Sequence, residues 1–557
     1  MHHVQFKNNK YAFKIDMLLL LFLVWSVCIF PKNSNSDQSP EINTPLGKII
    51  GRTVFFHNLL VKTFHGIPYA KPPIGDLRFK KPVPVESWEK PFLARDLPPG
   101  CVQYSSNPFP WLDNLPGKTM DCLYLNIWVP NDAGSNAKKA VMFWIHGGGF
   151  RIGSSRLDYY DGTVLAALGD VIVVTMNYRL SVEGFLYFGT EEAPGNMGLY
   201  DVLEALKWVK SNIQSFGGDE ENVTLFGQSA GAIAVGMFMT SPLTRGLFAR
   251  AIFQSGSPTN LDAEDNNRDF KLSQDVAKAV GCTGKNSSKN IPDTVVRCLR
   301  GKDVWELEKT LGKINDNPQR GLYPRFGDKI LPMNARKAFS RGKFGNYDIL
   351  IGTNRNEGST MITKSMKNVF GFFGEKCHSI NKTWGKYIIK QNFKNFLDVD
   401  AVVDYYLGNV NENDYDLVRH QVVTASGDYA RVCPSVYLAE SVAKKGNRVY
   451  FYYFDHIPSP TPWAPWMGVV HFDETPFVFG YPLKHPAYYT YRELLLSQQM
   501  INVWTTFAKS GSPPQLKTWP LYSKQQHSYL RFKTDGETIE IGPHLNNCNF
   551  FRPFFGF

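Results

Sequence analysis

Short apolar runs alternate along the chain with longer stretches in which apolar residues recur every three or four positions. The short runs at 140–145, 171–176 and 223–226 predict buried strands. The longer stretches at 198–216 and 230–239 predict helices, since their apolar residues fall on one helical face. This alternation predicts an α/β fold with a large, mixed, mostly parallel central sheet and helices on both faces.

The second half of the chain continues the same pattern. Further strands are predicted at 251–254, 347–351 and 449–454, a long amphipathic helix at 488–509, and a terminal hairpin at 530–541. The aromatic stretch 361–425 lacks a clear period and predicts an irregular insertion that covers the functional site. Because no Pro/Gly/Ser-rich linker divides the chain, we expect one domain, at 43–557.

The first thirty residues are typical of a targeting segment. Lysines come first and are followed by an apolar run at 17–30, which is too short to cross a membrane comfortably and suits a signal-peptide core. The sequence therefore predicts a signal peptide at 1–30, a short linker at 31–42, and a secreted protein without a stable membrane span after cleavage. The alternative is a signal-anchor that stays attached.

The number of cysteines and the net charge indicate the cellular compartment and exclude some classes of binding partner. The chain has 8 cysteines, of which Cys28 would leave with the signal peptide, and secretion favours disulfides among the other seven with one left over. Their spacing shows no paired metal-ligand pattern, and we expect neither a metal nor an organic cofactor. Asn286 and Asn381 are candidate glycosylation sites. The net charge of +11 is spread along the chain, without the basic and aromatic clusters that would predict nucleic-acid binding.

The segment 227–231, Gly-Gln-Ser-Ala-Gly, lies between a predicted strand and a predicted helix. In this context the pattern predicts a sharp turn that presents the hydroxyl of Ser229 above the sheet, at the positive end of the following helix. The flanking glycines are expected because a side chain at either position would collide with the neighbouring strand and helix. Ser229 is therefore the candidate nucleophile.

A serine that attacks a carbonyl needs donors for the negative oxygen that forms. Residues 146–150, His-Gly-Gly-Gly-Phe, directly follow the predicted strand 140–145 and supply backbone N–H groups from a second loop. We assign Gly148, Gly149 and Ala230 as the oxyanion donors. The alternative for the glycines alone is a flexible turn.

Ser229 also needs a base and an orienting carboxylate, and the chain order of this arrangement is serine, acid, histidine. Glu357 lies in the segment 352–359, which directly follows the predicted strand 347–351, and His471 lies in the segment 468–474. Asp473 and Glu474 are rival carboxylates, but they are too close in sequence to reach the imidazole nitrogen, and we expect them to form hydrogen bonds within their loop.

At this point the sequence resembles the type-B carboxylesterase/cholinesterase family over nearly its whole length from about residue 43. The resemblance rests on the segments 64–70, 121–126, 196–201 and 254–258 together with the serine motif. It implies an α/β-hydrolase fold with Ser229, Glu357 and His471 as the catalytic triad, and hydrolysis of a small-molecule carboxylic ester.

The resemblance also implies three disulfides and leaves one cysteine over. The implied pairs are Cys101–Cys122, Cys282–Cys298 and Cys433–Cys548, and Cys377 is the remaining thiol.

The departures from the family pattern bear on the substrate. Cholinesterases have a glutamate before the nucleophile, and here the neutral Gln228 stands in its place as a candidate substrate contact. Trp111 lies near the position of the choline-stacking tryptophan and is a second candidate contact; the alternative is an anchor for its loop. We expect the chain to be closer to general carboxylesterases than to acetylcholinesterase. A cholinesterase-like enzyme and a non-catalytic, neuroligin-like adhesion protein are the alternatives.

Overall fold

A computed structural model describes residues 39–557 except for 105–116, 135, 261–265, 284–291, 315–320, 377–378, 395, 397 and 515–518. The chain divides into two compact units, 1–39 and 40–557, and the second contains the fold described below. The predictions for the signal peptide, Trp111, Asn286 and Cys377 fall outside the described residues.

The described part of the second unit is organised around one sheet of 11 strands. In chain order the strands are β1 Arg52–Phe56, β2 Leu59–Pro68, β3 Tyr124–Pro130, β4 Lys139–Ile145, β5 Ile172–Met176, β6 Gly218–Gln228, β7 Arg250–Gln254, β8 Asp348–Asn354, β9 Val449–Phe454, β10 Ser528–Phe532 and β11 Thr538–Ile541. Their order across the sheet is β11-β10-β9-β8-β7-β6-β4-β5-β3-β2-β1. The pairs from β5 through β4 and β6 to β10 are parallel, whereas the pairs at both edges are antiparallel.

Strand β4 shows why the centre of this sheet is apolar on both faces. Val141, Phe143 and Ile145 join one hydrophobic cluster, whereas the alternating Met142 and Trp144 join another. Side chains of successive strand residues point to opposite faces, so a strand covered on both sides has to be continuously apolar. The predicted mixed, mostly parallel sheet with both faces covered is confirmed.

Helices and short sheets cover the faces and edges of this sheet. The helices are α1 Thr163–Gly169, α2 Ser181–Phe185, α3 Met197–Asn212, α4 Ala230–Thr240, α5 Asn266–Ala279, α6 Pro292–Arg300, α7 Val304–Ile314, α8 Ala335–Ser340, α9 Ser359–Ser365, α10 Lys367–Phe370, α11 Lys382–Asn392, α12 Val399–Leu407, α13 Tyr415–Gly427, α14 Cys433–Lys444, α15 Thr475–Val478, α16 Tyr481–Lys484, α17 Tyr491–Ser510 and α18 Leu545–Phe555. Short strands pair at Glu41–Thr44, Gly47–Ile50 and Phe92–Leu93, at Gly100–Cys101 and Lys118–Thr119, and at Tyr187–Thr190 and Ala193–Pro194.

Two helices on opposite faces illustrate the packing. All residues of α4 are buried, and a helix that is apolar all round is one enclosed by the core. Helix α17 lies on the other face and buries one side, including Met500, Trp504 and Phe507. It begins with a capping box between Thr490 and Glu493 that satisfies two free N–H groups of its first turn. Among the described residues, no helix combines the length and the apolar character needed to cross a bilayer.

The predicted irregular structure of 361–425 is wrong, whereas the expectation that this stretch covers the functional site stays a prediction. That stretch is mostly helical and contains α10, α11, α12 and most of α13. The helical period is present but interrupted: α12 buries Val402, Val403, Tyr406 and Leu407 on one side. Aromatic residues on the exposed faces of these helices, such as Trp384 and Tyr387, obscure that period in the sequence.

The three disulfides that the resemblance implies are present in the structure: Cys101–Cys122, Cys282–Cys298 and Cys433–Cys548. The first two close short loops, whereas the third spans 115 residues and joins α14 to α18. The C-terminal helix is thereby tied to the element that follows the turn Asp428–Val432.

Candidate active site

Ser229 lies between β6 and α4, at the centre of the sheet. Its backbone has φ 55° and ψ −120°, a conformation that L-residues rarely adopt and that persists only where surrounding structure enforces it. Its N–H donates to the carbonyl of Gln254 on the neighbouring strand β7 at 2.8 Å. The side chain is largely enclosed, with 7 % of the residue exposed. The predicted sharp strand-turn-helix geometry is therefore present at this serine.

The glycines on either side of Ser229 have no room for a side chain. A β-carbon added to Gly231 would lie 1.9 Å from the carbonyl oxygen of Ile145, and one added to Gly227 would lie 2.6 Å from the carbonyl carbon of Gly231. Real β-carbons do not approach backbone atoms so closely, because such contacts are strongly repulsive. The expected collision with the neighbouring strand and helix is confirmed at both positions.

The glycine loop that follows β4 runs directly beside this turn. A β-carbon on Gly147 would lie 2.7 Å from the side-chain oxygen of Gln228 and 3.1 Å from the β-carbon of Ser229. Gly148 and Gly149 have φ values of 109° and 65°, which favour glycine. The structure thus brings the two segments that carry the predicted oxyanion donors, 146–150 and 229–231, into contact.

His471 and Glu357 form the pair that the sequence predicts. His471 Nδ1 lies 2.7 Å from Glu357 Oε2, and the Glu357 side chain is fully buried whereas that of His471 retains 15 % exposure. The N–H of Asn354 also donates to Glu357 Oε1 at 2.8 Å. Because an ionised carboxylate can only accept, Nδ1 carries the proton of the neutral ring and Nε2 is left with its lone pair.

Gln228 contacts that second nitrogen. Its side-chain Nε2 lies 3.1 Å from His471 Nε2 and donates to the ring, since the nitrogen that faces it has a lone pair. The residue before the candidate nucleophile therefore touches the candidate base, a contact that the sequence did not reveal.

Burial and charge act in opposite directions on this pair. Burial would raise the pKa of the Glu357 carboxyl, but the charge and hydrogen bond of His471, the Asn354 N–H and the nearby Ser255 hydroxyl together hold it below its usual value. Burial lowers the pKa of His471 below its ordinary 6.5, and Glu357 only partly opposes this. Near neutral pH the pair therefore consists of a carboxylate and a neutral imidazole, which is the form a general base requires.

The rival carboxylates have other partners, Asp473 within its own loop as expected and Glu474 on the strands β7 and β8. Asp473 accepts the N–H of Val470 at 2.8 Å within its own loop. Glu474 is fully buried and accepts side-chain donors from Asn354 at 2.7 Å and Gln254 at 3.2 Å. Burial raises the pKa of Glu474 to about 7 and that of Asp473 well above its usual value. These contacts position the loop that carries His471.

Two cations that act on His471, and a third that acts on one of them, were missed by the sequence reasoning. Beyond the effect of burial, the charges of Arg431 and Lys364 lower the pKa of His471. Arg151 in turn acts on Lys364, whose pKa is lowered to about 7 by burial and by the two arginines. The three residues are far apart in sequence and belong to no motif, so only the folded chain brings them together.

The side chain of Asn381 caps α11 by accepting the N–H of Trp384 at 2.9 Å, in a surface position. No group of three or more potential metal ligands occurs within the described residues. The expectations that Asn381 is glycosylated and that the protein uses no cofactor stay predictions.

The chain matches known proteins over most of its length. The sequence model of the Carboxylesterase family matches residues 38–551. The chain is 39 % identical to "Acetylcholinesterase-1" of Trittame loki, over 94 % of this chain and 96 % of that protein. It is 34 % identical to "Cholinesterase" of Mus musculus, over 96 % and 90 % of the two chains, and 35 % identical to "Acetylcholinesterase" of Leptinotarsa decemlineata, over 92 % and 85 %. The predicted nearness to general carboxylesterases stays a prediction.

Proposed function

The chain belongs to the carboxylesterase family and is a carboxylic ester hydrolase, and from that premise we propose that Ser229 is its nucleophile, His471 its general base and Glu357 the orienting acid. The observation that carries the assignment is the 2.7 Å contact between His471 and Glu357 beside the strained turn at Ser229. A buried acid and base with perturbed pKa values, beside a strained turn, are features of catalytic sites.

The proposed reaction has two symmetrical halves. His471 Nε2 removes the proton of Ser229 Oγ as the oxygen attacks the ester carbonyl, and the backbone N–H groups of Gly148, Gly149 and Ala230 stabilise the negative oxygen. His471 then gives that proton to the departing alcohol, which leaves an acyl-enzyme. Water repeats the sequence, its proton passing through His471, and releases the carboxylic acid and free Ser229.

The hydrogen bond between Gln228 and His471 has to break before this reaction can start. The amide donates to the nitrogen that takes the Ser229 proton, so in the resting enzyme it competes with the serine hydroxyl. The amide carries no charge. A substrate with a cationic alcohol group therefore finds no carboxylate of the enzyme to bind at this position. We accordingly propose that the enzyme prefers carboxylic esters other than those of choline.

We also propose that the enzyme is secreted. The three disulfides support this, because disulfides persist in oxidising compartments and are rare in the cytosol.

The nucleophile is tested with a fluorescent organophosphonate, which reacts with activated serines. The wild-type protein should be labelled and should hydrolyse 4-nitrophenyl acetate, whereas Ser229→Ala should do neither. Ser497→Ala is the control, since it removes a buried serine hydroxyl that donates to the carbonyl of Phe477, and this variant should still be labelled. Folded wild-type protein that neither reacts with the probe nor hydrolyses any ester would contradict the proposal and favour an adhesion function.

A cholinesterase is the second candidate, and the names of the three relatives favour it. The test compares acetylthiocholine with its uncharged analogue 3,3-dimethylbutyl thioacetate. We expect the wild type to prefer the uncharged ester and Gln228→Glu to move the ratio of kcat/KM toward acetylthiocholine by about ten-fold, the effect of one added charge contact. A wild type that strongly prefers acetylthiocholine would establish the cholinesterase instead.

A further inference from the structure

The glycine loop that carries two of the proposed oxyanion donors is closed by a tight turn. The carbonyl of Gly148 accepts the N–H groups of Arg151 and Ile152 at 3.2 and 3.1 Å. Phe150 lies within this turn with φ 58°, a value uncommon for a residue with a side chain. Because the turn is so short, a shift of Phe150 also moves Gly148 and Gly149.

Helix α2 holds Phe150 in place through two contacts. The N–H of Ser181, the first residue of α2, donates to the Phe150 carbonyl at 2.8 Å. The ring of Phe185, the last residue of this helix, packs edge-on against the Phe150 ring, with 5.5 Å between the ring centres. The position of α2 therefore determines the position of the loop.

Glu308 on α7 holds the first turn of α2. Its Oε1 accepts the N–H of Val182 at 3.1 Å, and its carboxyl also forms a hydrogen bond with the Ser181 side chain. Ser181 and Val182 are neighbours in the chain, so a carboxyl that fixes them also fixes the Ser181 N–H. Direct contacts thus connect Glu308 to the Phe150 carbonyl.

The carboxyl of Glu308 is enclosed in an apolar environment. Only 2 % of the residue is exposed, and Leu307 and Leu311 of α7 belong to the same hydrophobic cluster as Phe150 and Val182. A polar group without partners is costly in such a place, and an apolar side chain of similar size would fill the space without that cost. The donors of α2 therefore account for a carboxyl at this position.

Burial also favours the uncharged form of this carboxyl. It raises the pKa of Glu308 to about 8, and the charge of Glu183 adds to this, whereas the Ser181 hydroxyl, the Val182 N–H and the charge of Arg151 act in the opposite direction. Near neutral pH the carboxyl is therefore mainly protonated. Glutamine, which is uncharged and similar in shape, has an oxygen that can accept the same N–H.

A buried ion pair connects α2 to the start of α7 independently of Glu308. Arg78 Nη2 lies 2.6 Å from Glu183 Oε1 on α2, and both side chains are almost fully buried. Arg78 Nη1 donates to the carbonyl of Lys302, just before α7, at 2.6 Å. Loss of the Glu308 carboxyl should therefore loosen the first turn of α2 and leave the fold intact.

We propose that Glu308 is a positioning residue for the oxyanion donors, which it holds through α2 and the Phe150 carbonyl. The inference rests on the proposed function, because it concerns the donors of that same site. These donors stabilise a charge that develops in the transition state, so their displacement lowers kcat and has little effect on substrate binding.

Glu308→Met tests this role, since it removes the acceptor and keeps an unbranched side chain of similar length. We expect kcat for 4-nitrophenyl acetate to fall about ten-fold, less than the roughly 10²–10³-fold that loss of a whole donor costs. KM should stay within about two-fold of the wild-type value. A trifluoromethyl ketone adds to Ser229 and places an oxyanion at the same donors, so it should bind about ten-fold more weakly.

Three further variants complete the experiment. Glu308→Gln should keep kcat close to that of the wild type, because its amide oxygen accepts the Val182 N–H. Glu308→Asp is one methylene shorter and should lower kcat, and it replaces the methionine variant if that protein does not fold. Glu306→Met is the matched control, since Glu306 is exposed on the same helix, and should behave as the wild type.

Two kinetic results would overturn the proposal. The first is an undiminished kcat in folded Glu308→Met, or in Glu308→Asp where that variant replaces it. The second is a glutamine variant as slow as the methionine variant, because the acceptor oxygen would then not be what matters.

Hydrogen exchange measured by mass spectrometry separates failure of this inference from failure of the proposed function, since it requires no catalysis. Backbone amides of 147–152 should exchange faster in Glu308→Met than in the wild type or Glu308→Gln, and those of β9 should be unchanged. This result supports the role of Glu308 in holding the loop even if the protein hydrolyses no ester. Unchanged exchange at 147–152 and undiminished kcat in an active Glu308→Met enzyme refute that role and leave the esterase assignment intact.

Discussion

At the scale of single residues, Gly231 is the position that the turn at Ser229 constrains most. We expect Gly231→Ala to lower kcat/KM for 4-nitrophenyl acetate by at least about 100-fold, because the added methyl group meets the Ile145 carbonyl at 1.9 Å and has to displace the nucleophile. Overpacking of this kind also destabilises the fold, by about 1–3 kcal/mol. Steady-state kinetics and urea unfolding measure the two effects.

Gly134→Ala is the control for that substitution. An added β-carbon there meets no atom within 4 Å, so both activity and the free energy of unfolding should stay close to those of the wild type. Full activity of Gly231→Ala would show that the turn can shift without cost, against the geometry of the site.

The pH dependence of hydrolysis reports on His471. The base acts only when neutral, so kcat/KM should rise with pH through the pKa of this ring, and burial places that pKa below 6.5. The carboxylate of Glu357 favours the protonated ring. Glu357→Gln should therefore lower the pKa further and move the acidic limb to lower pH, while kcat falls roughly 10³–10⁴-fold because the ring loses its orienting acceptor.

Profiles of kcat/KM from pH 4 to 9 for both proteins check this expectation. Asp473→Asn is a useful comparison, since that carboxyl accepts the Val470 N–H and does not touch the ring, and its acidic limb should move less. An acidic limb that shifts to higher pH in Glu357→Gln would contradict the proposed pairing of the charges.

Some residues of the site could be predicted from a local sequence motif, and others could not. Ser229, Gly148 and Gly149 lie in segments whose glycines are required by the local backbone geometry. The sequence motif therefore identified these residues, and the structure agrees. Glu308 lies in no such motif, because its contact with Val182 depends on how α7 packs against α2. The contact between Gln228 and His471 likewise depends on a side-chain rotamer that no spacing encodes.

At the scale of elements, the disulfide Cys433–Cys548 should contribute more stability than the shorter Cys282–Cys298. The two bridges span 115 and 16 residues, and the chain-entropy account assigns about 4.7 kcal/mol to a loop of roughly a hundred residues and about 3 kcal/mol to one of roughly fifteen. The double variant Cys433→Ala/Cys548→Ala should therefore lose more unfolding free energy than Cys282→Ala/Cys298→Ala.

Guanidinium unfolding of the two double variants, with the wild type as reference, measures the difference. Both cysteines of the long bridge are completely buried, and alanine avoids placing a polar group in that interior. A smaller loss for the long bridge would mean that α18 stays docked on α14 through its packed aromatic residues alone.

Helices and strands were predictable where burial of one face or of both faces gives their apolar residues a simple period. The central strands carry apolar residues at every position because both faces are covered, and β9 was predicted with its observed bounds, Val449–Phe454. The predicted strand 223–226 is only the buried end of β6, whose first residues, including Asp219 and Glu221, are polar and partly exposed. The helices between β8 and β9 were missed because aromatic residues lie on both their buried and exposed sides.

At the scale of the whole molecule, the disulfides link the fold to the compartment in which it forms. The three bridges lie one each in the first, middle and last parts of the chain. Each forms only where thiols are oxidised. The apolar run at 17–30 offers a route to such a compartment.

Expression of the full chain in a eukaryotic secretory cell line tests that link. We expect active esterase in the medium with an N-terminus close to residue 31, found by N-terminal sequencing, and a decrease in apparent mass on deglycosylation that Asn381→Gln reduces. A variant that begins at residue 31 should remain in the reducing cytosol, form no disulfides and have a lower Tm, since about 3–5 kcal/mol depends on each bridge. Active enzyme that stays bound to cell membranes with residues 1–30 attached would instead identify the segment as a signal-anchor, because cleavage is what separates the two outcomes.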